Sequence, residues 1–125
     1  MIIRTWRARA ARAQLDDYPE HFRFQVLPTL KAIKGFLGAS LLRRDRPDEV
    51  EFLVLTRWTS LDAIRAFAGE NLNQAVVEPE AAIALLSYDP TVRHYEIVQE
   101  VAFPEVRVRR RPERRAKREA EQDST

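Results

Sequence analysis

Val50-Glu51-Phe52-Leu53-Val54-Leu55-Thr56-Arg57-Trp58, followed at once by Thr59-Ser60-Leu61-Asp62-Ala63-Ile64-Arg65-Ala66-Phe67-Ala68-Gly69, reads as a strand running into a helix. In the first part Val50, Phe52, Val54 and Trp58 point one way and Leu53 and Leu55 the other. Both faces are therefore apolar, which places the strand in the middle of a sheet and covers it on both sides. In the second part Leu61, Ile64, Phe67 and Ala68 recur at helical spacing, Thr59 and Asp62 have the separation of a helix-capping pair, and Gly69 ends the turn.

Upstream, Phe36 to Arg44 reads as a strand that begins after Gly35 and stops at the turn-forming Asp45-Arg46-Pro47-Asp48, so the two strands form a hairpin. Residues 12 to 31 keep the helical period, with Leu15, Phe22, Val26 and Leu30 on one face. Pro19 deletes a backbone bond there, so the helix either restarts with Asp17 as its cap or bends. Ile2 to Ala8 alternates, Ile2, Arg4, Trp6 and Ala8 against Ile3, Thr5 and Arg7, and reads as the first strand. Downstream, Pro79 to Leu86 reads as a short helix, Tyr88-Asp89-Pro90 as a turn and Thr91 to Val101 as the last strand.

The order strand, helix, strand, strand, helix, strand folds through short right-handed connections into a ferredoxin-like α+β sandwich. It is a βαββαβ unit with both helices on one sheet face and the last strand beside the first. The opposite face is bare yet carries apolar side chains. Each large one left in water forfeits about 2 kcal/mol. A second copy is the expected cover, and two such sheets face to face make a dimeric α/β barrel.

The composition excludes much chemistry. At 125 residues with 45% hydrophobic side chains the chain supports one core without staples. It has no cysteine, which removes disulfides, zinc ribbons, thiol nucleophiles and iron–sulfur ligands. Two histidines, His21 and His94, are too few for a three-histidine metal site, and the expected metal set is empty. Three glycines leave no phosphate loop or dinucleotide fingerprint, and Lys34-Gly35-Phe36 lacks the stacking aromatics of an RNA-recognition strand. The apolar start breaks at Arg4, so no signal core or membrane span is expected, and the expected location is cytoplasmic.

Residues 1 to 104 hold 13 basic and 14 acidic side chains, whereas 105 to 125 hold 8 and 5. The domain boundary is set near Pro104, giving a domain over 1–103 and an arginine-rich extension over 104–125. Arg107 to Arg118 places eight basic groups against Glu113 alone. Its readings are a solubilising extension or a salt-sensitive contact with nucleic acid.

Several stretches together resemble the antibiotic biosynthesis monooxygenase family of dimeric α/β barrels. They are Ile2-Ile3-Arg4-Thr5-Trp6, Ala32-Ile33-Lys34-Gly35-Phe36-Leu37-Gly38-Ala39, Val50 to Ser60, Ile64 to Glu70, and Arg93-His94-Tyr95-Glu96-Ile97-Val98. The resemblance covers about residues 1 to 100 and implies a homodimer with an active-site cavity between each sheet and its own helices. Members of that family include cofactor-independent oxygenases of polycyclic quinols, haem-degrading monooxygenases and many proteins of unassigned activity, so the resemblance implies no single chemistry. The chain departs from the patterns of the first two. Asn71 to Glu78 has no histidine and Thr5 to Arg7 no asparagine, as the haem-degrading branch requires, and Val54 stands where the quinol-oxidising branch has an asparagine four residues before Trp58.

The expected function is therefore a cofactor-independent monooxygenase acting on an aromatic or polycyclic small molecule, with a non-catalytic dimeric ligand-binding or scaffold domain as the alternative. No cofactor is expected. His94 and Glu96, two residues apart on one strand face, are the candidate base and its orienting carboxylate. The structural alternative for His94 is a strand histidine bonded to a neighbour. Trp6, Trp58, Arg4 and Phe67 form the candidate substrate-binding set, Trp58 being either a pocket wall or a core residue. His21, among Asp17, Glu20 and Arg23, reads as solvated.

Overall fold

Strands β1 (Ile2–Ala11) and β3 (Glu49–Trp58) pair antiparallel over their whole length, from Ile2 opposite Trp58 to Ala11 opposite Glu49. The structure is a computed structural model, and it describes residues 1–104. The Arg107 to Arg118 segment lies outside the described residues. On its other side β3 meets β2 (Phe36–Asp45), with a register shift between Phe36 and Gly38. Beyond β1 lie β4 (Ser87–Tyr88) and β5 (Arg93–Glu96), so the sheet runs β2-β3-β1-β4 with β5 also on β1. This is the ferredoxin-like α+β arrangement, with the end of the domain returning beside the first strand.

The last strand is shorter than its sequence suggests. Of the expected run from Thr91 to Val101 only Arg93–Glu96 is strand, pairing with β1 at Ile2–Thr5, and Tyr88, expected in a turn, forms with Ser87 a separate piece paired at Ala8–Arg9. Pro90 has no N–H to give to a ladder, and the chain loops out between the pieces.

The alternation in β3 fixes its two environments. Val50, Phe52 and Trp58 are at most 1% exposed and Val54 only 7%, all facing the helices, whereas Leu53 and Leu55 sit half-buried on the other face. That other face also carries half-buried Ile3 and exposed Leu42 and Tyr95, with Arg7, Arg44 and Arg46 gathered around Glu51.

The segment between β1 and β2 is helical but composite. A turn at Arg12–Gln14 leads into α1 (Asp17–His21), a wider π turn at Phe22–Val26, and α2 (Leu27–Lys31). Pro19 therefore falls in the first turn of a helix that restarts, with Asp16 at the cap position. Pro28 explains the π turn. In a regular α-helix its ring would collide with the carbonyl four residues earlier, and widening the preceding turn removes that collision.

Helix α3 (Leu61–Ala68) starts at Ser60, whose hydroxyl accepts from the Ala63 N–H at 3.2 Å. The cap is thus one residue later than the Thr59–Asp62 pairing suggests, and Asp62 pairs with Arg65 instead. A last short helix, α4 (Pro79–Ile83), covers the other end of the sheet. Two apolar clusters result, one around Tyr18, Phe22, Val50 and Phe52 beneath α1 and α4, the other around Leu30, Trp58 and Ile64 beneath α3.

Candidate functional site

Between the helices and the inner sheet face lies a cavity of about 70 Å³. Its wall is mainly apolar, with Val26, Leu30, Val54 and Phe67 beside Trp6, Tyr18 and Phe22. Thr29, Val76 and Glu78 are the exposed members of the lining and mark its mouth.

Arg4 stands at the inner wall, placed there by the β1 alternation and only 4% exposed. Among the described residues it has no carboxylate partner. Its guanidinium donates to the carbonyls of Leu72 at 2.7 Å and Gln74 at 3.0 Å, lies 2.9 Å from His94 Nε2, and covers the Phe67 ring at 5.9 Å. Burial lowers its pKa to about 10, so it remains a cation at neutral pH. Arg4 pairs with neither Glu51 nor Glu96, and Glu51 serves Arg7, Arg44 and Arg46.

His94 reaches Arg4 because β5 pairs in register with β1, Arg4 opposite His94. An arginine only donates, so Nε2 accepts and the ring proton sits on Nδ1. Burial, and then the Arg4 charge, push the His94 pKa below the usual imidazole value, which agrees with a neutral ring. Glu96 is exposed and lies opposite Ile2 on β1. The hydrogen-bond partner of His94 is thus Arg4, and Glu96 takes no part in that bond.

Of the aromatic candidates, Trp6 and Phe67 line the cavity. Trp6 donates from Nε1 to the Asp89 carbonyl at 2.8 Å and packs against Tyr18 and Tyr88. Trp58 is fully buried behind the wall. Its Nε1 donates to Thr56 Oγ1 at 2.8 Å, and its ring stacks on Phe67 and meets Phe36 edge-on.

Tyr18 and His21, both outside the candidate set, are further ring-bearing polar members of the lining. Tyr18 is 4% exposed, and burial, with the nearby Glu78 charge second, raises its pKa, so it stays a neutral O–H. His21 corrects the expectation of a solvated ring. Its side chain is 9% exposed, its ring lies 6.1 Å from that of Tyr18, and Nε2 sits 3.2 Å from Glu78 Oε1. That approach is off-axis, leaving Nε2 buried without a hydrogen-bond partner among the described residues. The signal was present in the sequence, since His21 follows Tyr18 by three residues, the spacing that puts both on one side of a helix.

The family model for antibiotic biosynthesis monooxygenases matches residues 1–79, and the chain belongs to that family. A search of curated proteins finds no match. Among solved structures, the chain is similar to a Bacillus cereus protein named for the same family, at 18% identity and a TM-score of 0.60 over 82% of this chain and 95% of that one. It is similar to MhuD of Mycobacterium tuberculosis, a haem degrader with two haems in its active site, at 21% identity and TM-score 0.55 over 82% and 100% of the two chains. It is also similar to SnoaB of Streptomyces nogalater, a cofactor-independent oxygenase, at 18% identity and TM-score 0.54 over 83% and 98%. These likenesses carry the fold.

Proposed function

We propose that this member of the antibiotic biosynthesis monooxygenase family is an oxygenase that binds an aromatic, hydroxyl-bearing small molecule between sheet and helices and oxidises it with dioxygen, without metal or flavin. The observation that carries this reading is the cavity wall, where Trp6, Tyr18, Phe22 and Phe67 surround a small apolar space while Arg4 supplies a buried cation. Aromatic walls bind flat rings, and a cation in a low-dielectric site favours the phenolate form of a bound phenol.

Such a phenolate is electron-rich enough to reduce dioxygen. The balance needs no other reductant: a hydroxyarene and dioxygen give a quinone and water. One aryl C–H and one O–H bond are broken, one oxygen atom becomes the new carbonyl, and the other leaves as water with the two hydrogens. The chain's own contribution is to bind the ring, exclude water and hold the developing negative charge beside Arg4 and the Tyr18 O–H. His94 acts as a positioning residue, because its neutral ring and the Leu72 and Gln74 carbonyls fix Arg4.

Among the described residues no group of three His, Asp or Glu side chains is arranged to hold a metal. We further propose a homodimer joined through the bare sheet face. Ile3, Leu42, Leu53, Leu55 and Tyr95 support it as an apolar patch that a second copy would cover. No helix among the described residues is long and apolar enough to cross a membrane, and the proposed location remains the cytoplasm.

An oxygen electrode with a panel of phenols and quinols tests the activity. Substrate-dependent uptake that falls in Arg4→Met is the expected result. A ligand that binds without any uptake above background would favour the scaffold alternative.

A further inference from the structure

The unpartnered nitrogen of His21 is the feature of the cavity that the preceding mechanism leaves unused. Buried polar atoms are nearly always hydrogen-bonded, and one that is not, in the wall of a cavity, is an opening for a ligand. We propose that His21 is the general base of this cavity, that Glu78 is the carboxylate supporting its charge, and that the group it serves is the hydroxyl of a single-ring phenol. The proposal rests on the aromatic-substrate reading and adds to it the base and the size of the substrate.

Three observations converge. His21 lines the cavity, and its Nε2, covered by the rim at Glu78, has no hydrogen-bond partner among the described residues, so a ligand that displaces the rim uncovers an unsatisfied nitrogen. Glu78 Oε1 lies 3.2 Å away with its side chain half-exposed at the mouth, so a carboxylate stands next to the ring without saturating it. The positive charge of an imidazolium formed there would face that carboxylate. Glu78 lies against His21 from the rim and Tyr18 beside it, with Asp17 and Glu20 its titratable neighbours on α1. Tyr18 stays protonated and competes only as a donor. His94, by contrast, already spends Nε2 on Arg4.

Size selects the substrate class. The cavity, about 70 Å³, is about half of the roughly 150 Å³ that accommodates benzene in an engineered apolar cavity. One ring enters when the rim at Val76 to Glu78 yields, whereas a fused polycycle does not fit beside Phe22 and Phe67. In the step itself the phenol O–H bond breaks, the proton goes to Nε2, and the electron pair stays on oxygen as phenolate. No oxidant takes part until dioxygen arrives.

The test uses 4-nitrophenol with the full chain, because its phenol and phenolate forms absorb differently and report the protonation of the bound probe. Below the probe's own pKa, the wild-type protein is expected to bind it as phenolate, to shift the Trp6 indole N–H resonance and to convert the His21 ring to imidazolium in the NMR spectrum. In His21→Gln the bound phenolate-to-phenol ratio is expected to fall roughly tenfold, one pKa unit. In Glu78→Gln, a rim change that spares the core, it falls by a smaller factor, and this variant decides the matter if His21→Gln does not fold. An unchanged ratio, with the Trp6 shift still present, overturns His21 as base and leaves the aromatic cavity standing. A wild-type protein whose Trp6 signal ignores the probe overturns the single-ring assignment, while oxygen uptake with larger quinols independently decides the broader reading.

Discussion

Replacing Gly35 by alanine should destabilise the domain by about 4 kcal/mol, half from backbone strain and half from a collision. Gly35 has φ +98°, a conformation L side chains rarely adopt, and its carbonyl accepts the Thr59 N–H at 2.9 Å where β3 hands over to α3. A Cβ built on it would lie 2.5 Å from the Ala63 Cβ and 2.7 Å from Thr59 Oγ1. Ordinary carbon contact is about 4 Å, so helix α3 must lift or the turn must open. The two contributions separate in a double-mutant cycle. Ala63→Gly alone should cost about 1 kcal/mol of helix propensity. It removes one of the two atoms Gly35→Ala collides with and leaves Thr59 Oγ1, so the double variant should lose about 4 kcal/mol and the pair should show a coupling near 1 kcal/mol. Urea unfolding of the four proteins measures this. A Gly35→Ala variant within about 0.5 kcal/mol of wild type would refute the close approach of α3 to the start of β2.

Trp58→Phe should cost about 2 kcal/mol, since it leaves Thr56 Oγ1 without its donor and a void beneath Phe67, yet leave affinity for an aromatic probe unchanged; Trp6→Phe should do the reverse, and a titration with stability curves separates them. Arg4→Met should free the Leu72 and Gln74 carbonyls and speed amide exchange at Ala75 and Val92 roughly tenfold; unchanged exchange in that segment would show that Arg4 does not hold it. The His94 pKa is lowered on folding, so the unfolded chain binds its proton more readily. Stability should therefore decline as pH falls below the unfolded value of 6.5, and His94→Gln should lose that part of the decline; identical slopes in urea midpoints would rule it out.

The sheet could be read from the sequence because its signals are local. Alternation in Val50 to Trp58 fixed which face each residue occupies, and Asp45-Arg46-Pro47-Asp48 fixed the hairpin. The helix before β2 was readable in its apolar face, including Phe22 and Leu30, but the π turn was not, although Pro28 marks where a regular helix fails. The site was harder because it joins distant segments. Register placed His94 beside Arg4, as the strand order predicted, but which carboxylate accompanies which histidine depends on loops with no period. Glu78 reaches His21 across 57 positions of chain, their numbers being 78 and 21, and no spacing rule connects them. Trp58 illustrates the converse: its place at the end of a central strand is as consistent with a core residue as with a pocket wall, and only the stacking of Phe67 between it and the cavity decides.

The most direct measurement of the central claim is incorporation of isotopically labelled dioxygen. The purified protein, incubated with labelled dioxygen and hydroxyarenes of increasing ring number, should give a quinone carrying one labelled oxygen atom, with the other recovered as water and with single-ring substrates turning over fastest. Products without label, or no enzyme-dependent product from any hydroxyarene that binds the cavity, would contradict an oxygenase and leave a binding domain on the family's scaffold.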